Sequence, residues 1–138
     1  AGKEIAATPD GRKAGEPLSD AASPSYGRDV LGATATINSI TKPDYRKVAC
    51  GTVINQKFSP SMFGDEKRKK LLALIKVYFK KGGQEMQINA TSREVLMDAM
   101  DHPEKYPSLV VRVSGFSALY ISLAREVQED ILHRTQQG

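Results

Sequence analysis

The chain has 138 residues, 40% of them hydrophobic and 26% charged, with a single cysteine and a formal net charge of +4. That length carries one domain with a moderate core, and its longest purely apolar run, Leu71–Ile75, is far short of a membrane span. Cys50 alone rules out an internal disulfide and a cysteine-cluster metal site; no charged stretch leads into an apolar one as in a secretory signal, so the cytoplasm is the expected compartment.

Ala1 is no natural start, and Thr8-Pro9-Asp10-Gly11-Arg12 reads as the middle of a longer sequence, so a fragment or a cleaved or split subunit is expected. Residues 8–32 read as loop. Pro9-Asp10-Gly11, Gly15-Glu16-Pro17, Ser23-Pro24 and Tyr26-Gly27 place a turn signal every few residues. Few apolar side chains lie between them, so this stretch is expected either disordered or laid against other protein. Residues 1–32 are accordingly assigned to a loop-rich segment and 33–138 to the domain proper.

Ala33 to Ile37 alternates small apolar and polar residues and predicts a strand, broken by Lys42-Pro43-Asp44; Gly51 to Phe58 predicts a second, ended by Ser59-Pro60. Residues 66–81 predict a helix, with Leu71, Leu72, Ile75, Tyr78 and Phe79 as its apolar stripe and Lys69, Lys76 and Lys80 opposite. Gly82-Gly83 ends it. This segment is strongly basic, yet it has no interleaved exposed aromatics for base stacking; a solvated helix face is expected, with no contact to nucleic acid or membrane. Met86, Ile88 and Ala90 alternate with Gln87 and Asn89 and predict a strand. Thr91-Ser92-Arg93-Glu94 has the capping-box pattern of a helix over 92–101, stopped at His102-Pro103. Leu109 to Val113 predicts a buried strand, interrupted by Ser114-Gly115-Phe116-Ser117, and a last helix is expected over 125–135 with Val127 and Ile131 inward. The order gives a mixed α/β class with no internal repeat.

Arg112-Val113-Ser114-Gly115-Phe116-Ser117-Ala118 resembles the signature run of the glycyl radical enzymes, the pyruvate formate-lyase-like family. The resemblance extends to His102 through Tyr106 before it and to Glu126 through Ile131 and Arg134-Thr135 after it. It also takes in Gly82 through Asn89 and the Thr8 to Asp29 segment. On its own, Ser-Gly-Phe-Ser would be read as a plain strand-to-helix turn; the extended flanks decide otherwise. The need for glycine follows from radical chemistry. An α-carbon radical is stabilised when the centre is planar between an electron-donating amide nitrogen and an electron-withdrawing carbonyl. A side chain would clash with the backbone as the centre flattens, and glycine is free to adopt unusual loop conformations.

The resemblance implies a radical stored on Gly115 as the cofactor, with no bound metal. It implies positioning roles for Arg112 and Ser114, and supporting contacts from Phe116 and Ser117, Phe116 shielding the loop from solvent. The fold implied is the C-terminal part of a ten-stranded α/β barrel, with the glycine loop and a closing C-terminal helix. The activity implied is radical cleavage of a C–C, C–O or C–S bond in a small organic substrate, decarboxylase- or dehydratase-like rather than formate acetyltransferase. The partners implied are an N-terminal cysteine-bearing part of the enzyme and an activating enzyme of the radical S-adenosylmethionine type, in an anaerobic setting where oxygen would cut the chain at Gly115. The chain is not expected to turn over substrate alone. Val48-Ala49-Cys50-Gly51-Thr52 does not match the family's cysteine loop, so Cys50 is read as a small buried filler and the thiyl cysteine is expected outside this chain. Tyr120 is read as a packing or hydrogen-bonding tyrosine, and His102 and His133 as helix-end residues. The alternative is a stand-alone repair subunit for an oxygen-damaged enzyme; it fits the size and motif, but Thr8 to Asp29 resembles the continuous enzyme.

Overall fold

A computed structural model describes residues 2–25, 27–134 and 136–137. The features assigned to Ala1, Tyr26 and Thr135 lie outside the described residues. In chain order the elements are α1 (Gly32–Ile40), β1 (Val53–Phe58), α2 (Asp65–Lys80), β2 (Glu85–Asn89), α3 (Arg93–Asp101), β3 (Val110–Arg112), β4 (Ser117–Leu119), α4 (Arg125–His133) and β5 (Gln136–Gln137), with short 3-10 turns between several of them.

The firmest sequence signal gives the firmest element. α2 places Asp65 and Glu66 in its first turn and Lys80 in its last, the arrangement that complements the helix dipole. It ends at Lys81, followed by Gly82 at φ +94°, where a side chain would be strained. Its buried face runs through Leu71, Leu74 and Tyr78. Leu72 and Phe79, expected on that stripe, are exposed, because at about 100° per residue both fall to the same side of the Leu71–Tyr78 line, a quarter turn or more from it.

β1 and β2 are parallel neighbours joined through α2, and β5 adds to the other edge of β1, giving the order β2-β1-β5. β3 and β4 form a separate antiparallel hairpin. Ile37, Ile54 and Tyr78 centre one apolar cluster, joined by Ile40, Leu74 and Met86. Leu96, Ala99, Val111, Tyr120, Ile131 and Leu132 form the other, between α3, the hairpin and α4. Val127 packs against it beside Ile131, as the helical spacing predicts.

The strand expected over Ala33–Ile37 is instead the core of α1. Five residues cannot separate a period of two from one of 3.6; extended to Ile40, the pattern puts Thr36, Ile37 and Ile40 together at helical spacing, and Ile37 is the side chain buried. At α3 the cap is Ser92, whose hydroxyl accepts from the Val95 N–H, one residue later than the Thr91-to-Glu94 box suggests. The loop-rich segment is laid against this chain's own sheet. The Ala22 N–H bonds to the Val53 carbonyl at 2.9 Å, the Asn55 N–H to Ser23 Oγ at 2.8 Å, and Gln137 Nε2 to Asp29 Oδ2 at 3.0 Å. Closer to the N-terminus, Arg12 donates to the carbonyls of Ile5, Ala6, Lys13 and Glu16. A guanidinium with five donors can hold together turns that have no core of their own.

Candidate functional site

Leu109 to Leu119 builds the site from the backbone outward. Arg112 pairs with Ser117 as the last rung of the β3–β4 ladder, and the Val113 N–H bonds to the Phe116 carbonyl at 2.9 Å. Ser114 and Gly115 are left as a two-residue tip. Of the two, only Gly115 has a positive φ, +81°, the sign pattern of a type II turn, which demands glycine at its third position. The motif is therefore a hairpin tip, where a strand-to-helix turn would have been the simplest reading; β4 was not foreseen because three residues, Ser117–Leu119, carry too little pattern. Val111 inside the hairpin is buried, whereas Val110 is 54% exposed, so only one face of the expected buried strand meets this chain's core.

The hairpin is docked on the parallel sheet by β2. Asn89 Oδ1 accepts the Arg112 N–H at 2.8 Å, and Asn89 Nδ2 donates to the Arg112 carbonyl at 2.8 Å. A single amide side chain thus does what a neighbouring strand would do. Two residues earlier on the same strand face, Gln87 Oε1 accepts the Gly115 N–H at 3.1 Å. The polar face of β2 is its buried one: Gln87 is 5% and Asn89 8% exposed. Alternation alone predicts the strand, but takes the apolar Met86 and Ile88 as the inward side.

Arg134 closes the base. Its guanidinium donates to the Val113 carbonyl at 2.8 Å and the Arg112 carbonyl at 3.4 Å, and pairs with Asp20 at 3.0 Å and Asp130 at 3.4 Å. Asp20 also accepts from Ser114 Oγ at 3.1 Å and from Asn55 Nδ2 at 2.7 Å. One carboxylate in the N-terminal loop therefore ties together the radical-motif hairpin, the central strand and α4. Beneath it lies a cavity of about 30 Å³ lined in part by Asn55, Gln56, Lys57 and Arg134. The atoms Asn55 Oδ1, Gln56 Oε1 and Arg134 Nε are buried there without a protein partner; the cavity has room for one water and offers it both donors and acceptors. Burial, reinforced by Arg93, holds the Lys57 amine below its ordinary value.

The expected site residues fall as follows. Gly115, Arg112, Ser114 and Ser117 come together at the tip, Arg112 Nη1 donating to Ser117 Oγ at 3.2 Å. Phe116, expected to shield the loop, is itself 54% exposed, with nothing among the described residues laid over it. Cys50 is exposed rather than a buried filler; it lies in the turn ahead of β1, where no apolar cluster reaches. Tyr120 is fully buried, its hydroxyl donating to the Gln128 carbonyl at 3.1 Å, and burial pushes it up to about 12. His102 caps the end of α3 beside Asp98 and Glu104, and His133 ends α4. Gln87, Asn89, Asp20 and Arg134 were missed as site residues. The sequence signals for them were the polar residues Gln87 and Asn89 alternating in a predicted strand and the resembling flanks that include Asp20, Gln87, Asn89 and Arg134, none of which gave any of the four a role at the tip.

The fixed features of the tip are a main-chain N–H held by Gln87, two main-chain carbonyls held by Arg134, and an exposed glycine. The family model described as glycine radical matches residues 18–121. The chain belongs to this family, whose hallmark group is a radical on glycine. It is 44% identical, over 98% of its own length, to "Probable dehydratase YbiW" of Escherichia coli (strain K12). Among solved structures it is similar to the glycerol-bound form of the B12-independent glycerol dehydratase from Clostridium butyricum, at 47% identity and a TM-score of 0.92 over 99% of the chain. It is also similar to the protein of 1,2-propanediol dehydration in Roseburia inulinivorans, at 43% identity and a TM-score of 0.91 over 99% of the chain. In each case the chain spans 17% of the length of the relative.

Proposed function

We propose that this chain is the radical-storing C-terminal portion of a glycyl radical dehydratase, with Gly115 as the glycine that holds the radical. The observation that carries the reading is the tip itself: an exposed, positive-φ glycine with its N–H fixed by Gln87. Activation removes the Gly115 Cα–H as a hydrogen atom. The bond breaks homolytically and the atom passes to a carbon-centred radical, made by an activating enzyme that cleaves S-adenosylmethionine with an electron from its iron–sulfur cluster. In the working enzyme the glycyl radical takes a hydrogen atom from a cysteine thiol outside this chain, and the thiyl radical starts substrate chemistry. Names of the relatives favour C–O cleavage with loss of water from a small hydroxylated substrate over C–C or C–S cleavage.

On this reading the remainder of the enzyme supplies the rest of the ten-stranded barrel, most of the substrate pocket and the cysteine loop, and the chain alone is inactive. Exposure of Phe116 and Val110 is in keeping with that remainder covering them. A continuous enzyme is favoured over a stand-alone repair subunit because the match to its relatives includes the N-terminal loop, whose Asp20 bonds to Ser114 at the tip. The setting is cytoplasmic and anaerobic.

The test is anaerobic incubation with a matched activating enzyme, reductant and S-adenosylmethionine, followed by electron paramagnetic resonance. A glycyl doublet that is lost in Gly115→Ala is the expected result. No doublet, with the activating enzyme proven on a full-length relative, would sink the assignment.

A further inference from the structure

We propose that Gln87 is a positioning residue that tunes the electronic state of Gly115 through its amide N–H, with Glu85 holding Gln87 in the required orientation; this rests on Gly115 being the radical glycine. Glu85, Gln87 and Asn89 share one face of β2 by the two-residue period of a strand. Asn89 fixes the base of the hairpin, and Gln87 reaches its tip, its Oε1 3.1 Å from the Gly115 nitrogen. On its other side, Gln87 Nε2 donates to Glu85 Oε1 at 3.0 Å. The carboxylate can only accept, so it decides which way the amide faces and leaves the oxygen, not the NH₂ group, toward Gly115. Glutamine is the side chain this place needs. A carboxylate at 87 would face Glu85 as a like charge, and an apolar side chain would leave the Gly115 N–H without its partner.

The consequence follows from how an α-carbon radical is stabilised. Its unpaired electron is shared between the nitrogen lone pair and the carbonyl. An acceptor on the N–H raises electron density on nitrogen and strengthens that donation. Here the acceptor is 5% exposed, where a hydrogen bond is less screened than in water, and the Glu85 charge polarises it further. The bond therefore spreads spin away from Cα, stabilises the radical and slows its loss. It also holds the peptide on the amino side of Gly115 in one orientation, so the centre is pre-set for planarity.

The decisive variants are Gln87→Leu, which keeps the bulk and removes the acceptor, and the exchange Glu85→Gln with Gln87→Glu. In the exchanged protein the new amide donates to the new carboxylate, which still accepts from Gly115. In the ¹⁵N-labelled chain the Gly115 amide proton is expected to shift upfield in Gln87→Leu and to exchange about fivefold faster, the factor one net hydrogen bond carries, while in the exchange pair, whose acceptor is a full carboxylate, it stays at or downfield of the wild-type position. In the activated enzyme, Gln87→Leu is expected to widen the α-hydrogen doublet and to lower radical yield by about fivefold, with both restored in the exchange pair. A purely structural role would change yield through misfolding without moving the splitting of the radical that forms. No doublet in the wild-type enzyme would overturn the assignment of Gly115 itself. A wild-type doublet whose splitting and yield Gln87→Leu leaves unaltered would overturn the role of Gln87 alone.

Discussion

At the scale of one residue, Gly115 separates two demands that are easily confused. An added Cβ would meet no atom within 4 Å, so space does not require glycine there in this chain. The backbone does, at φ +81°, where an L-residue costs roughly 1–2 kcal/mol. Gly115→Ala is therefore expected to fold, to lose about that much stability in urea, and to give no glycyl signal after activation. Loss of the folded baseline instead would mean that the tip is more tightly built than its open surroundings indicate. Phe116 carries the same lesson from the other side. Its aromatic character suggested a cover for the loop, and under the proposed function the surface it meets is set by the rest of the enzyme.

At the scale of elements, the polar face of β2 does the work of a strand partner. Asn89→Ala would leave both the N–H and the carbonyl of Arg112 without the amide that satisfies them, a loss of about 2–3 kcal/mol for two partly buried groups. It should show as a lowered urea midpoint and as early amide exchange confined to the β3–β4 hairpin. The sequence made the motif around Gly115 legible, because its residues are consecutive, and it made α2 and α4 legible, because their periods are long enough to read; β1 and β2 are hardly longer than the misread window and were marked by the Ser59-Pro60 and Gly82-Gly83 breaks beside them. α1 was lost to a window too short to fix its period. Gln87, Asn89, Asp20 and Arg134 converge on the tip only through tertiary structure, so spacing could not join them. β1 held a clue left unread: Ile54 to Phe58 is buried throughout, yet its middle is Asn55-Gln56-Lys57, where a central parallel strand is ordinarily aliphatic. Burial lowers the Lys57 pKa from 10.5, with Arg93 adding to it, so the charged form is disfavoured by folding. Lys57→Met is expected to gain about 1 kcal/mol at neutral pH, the low end for replacing a buried charge by an apolar chain. Between the lowered value and 10.5 the unfolded chain binds more protons than the folded one, so the native protein gains stability with rising pH. The advantage of Lys57→Met should thus shrink as pH approaches 10.5; thermal denaturation of both proteins at pH 7 and above pH 9 checks the sign.

At the scale of the whole molecule, the distribution of exposed apolar side chains sets how the chain behaves by itself. Val30 and Leu31 are 79% and 83% exposed just ahead of α1, and Phe79 is 47% exposed on α2. Single exposed apolar residues are unremarkable, but Val110, Phe116 and Leu119 on the hairpin repeat the pattern, and the chain spans 17% of the length of its relatives. Under the proposed function, such side chains are where the rest of the enzyme is expected to meet this chain. The isolated chain is therefore expected to self-associate as its concentration rises, with sedimentation velocity showing species larger than the 15.1 kDa monomer. Because these side chains bury little within the chain, Val30→Ser, Leu31→Ser and Phe79→Ser should each change stability by no more than about 0.5 kcal/mol. Combined, they should return the chain to a monomer at an unchanged melting temperature. A monomeric wild type, or a triple variant that melts much earlier, would mean that these residues serve this chain's own fold rather than its junction with the rest of an enzyme.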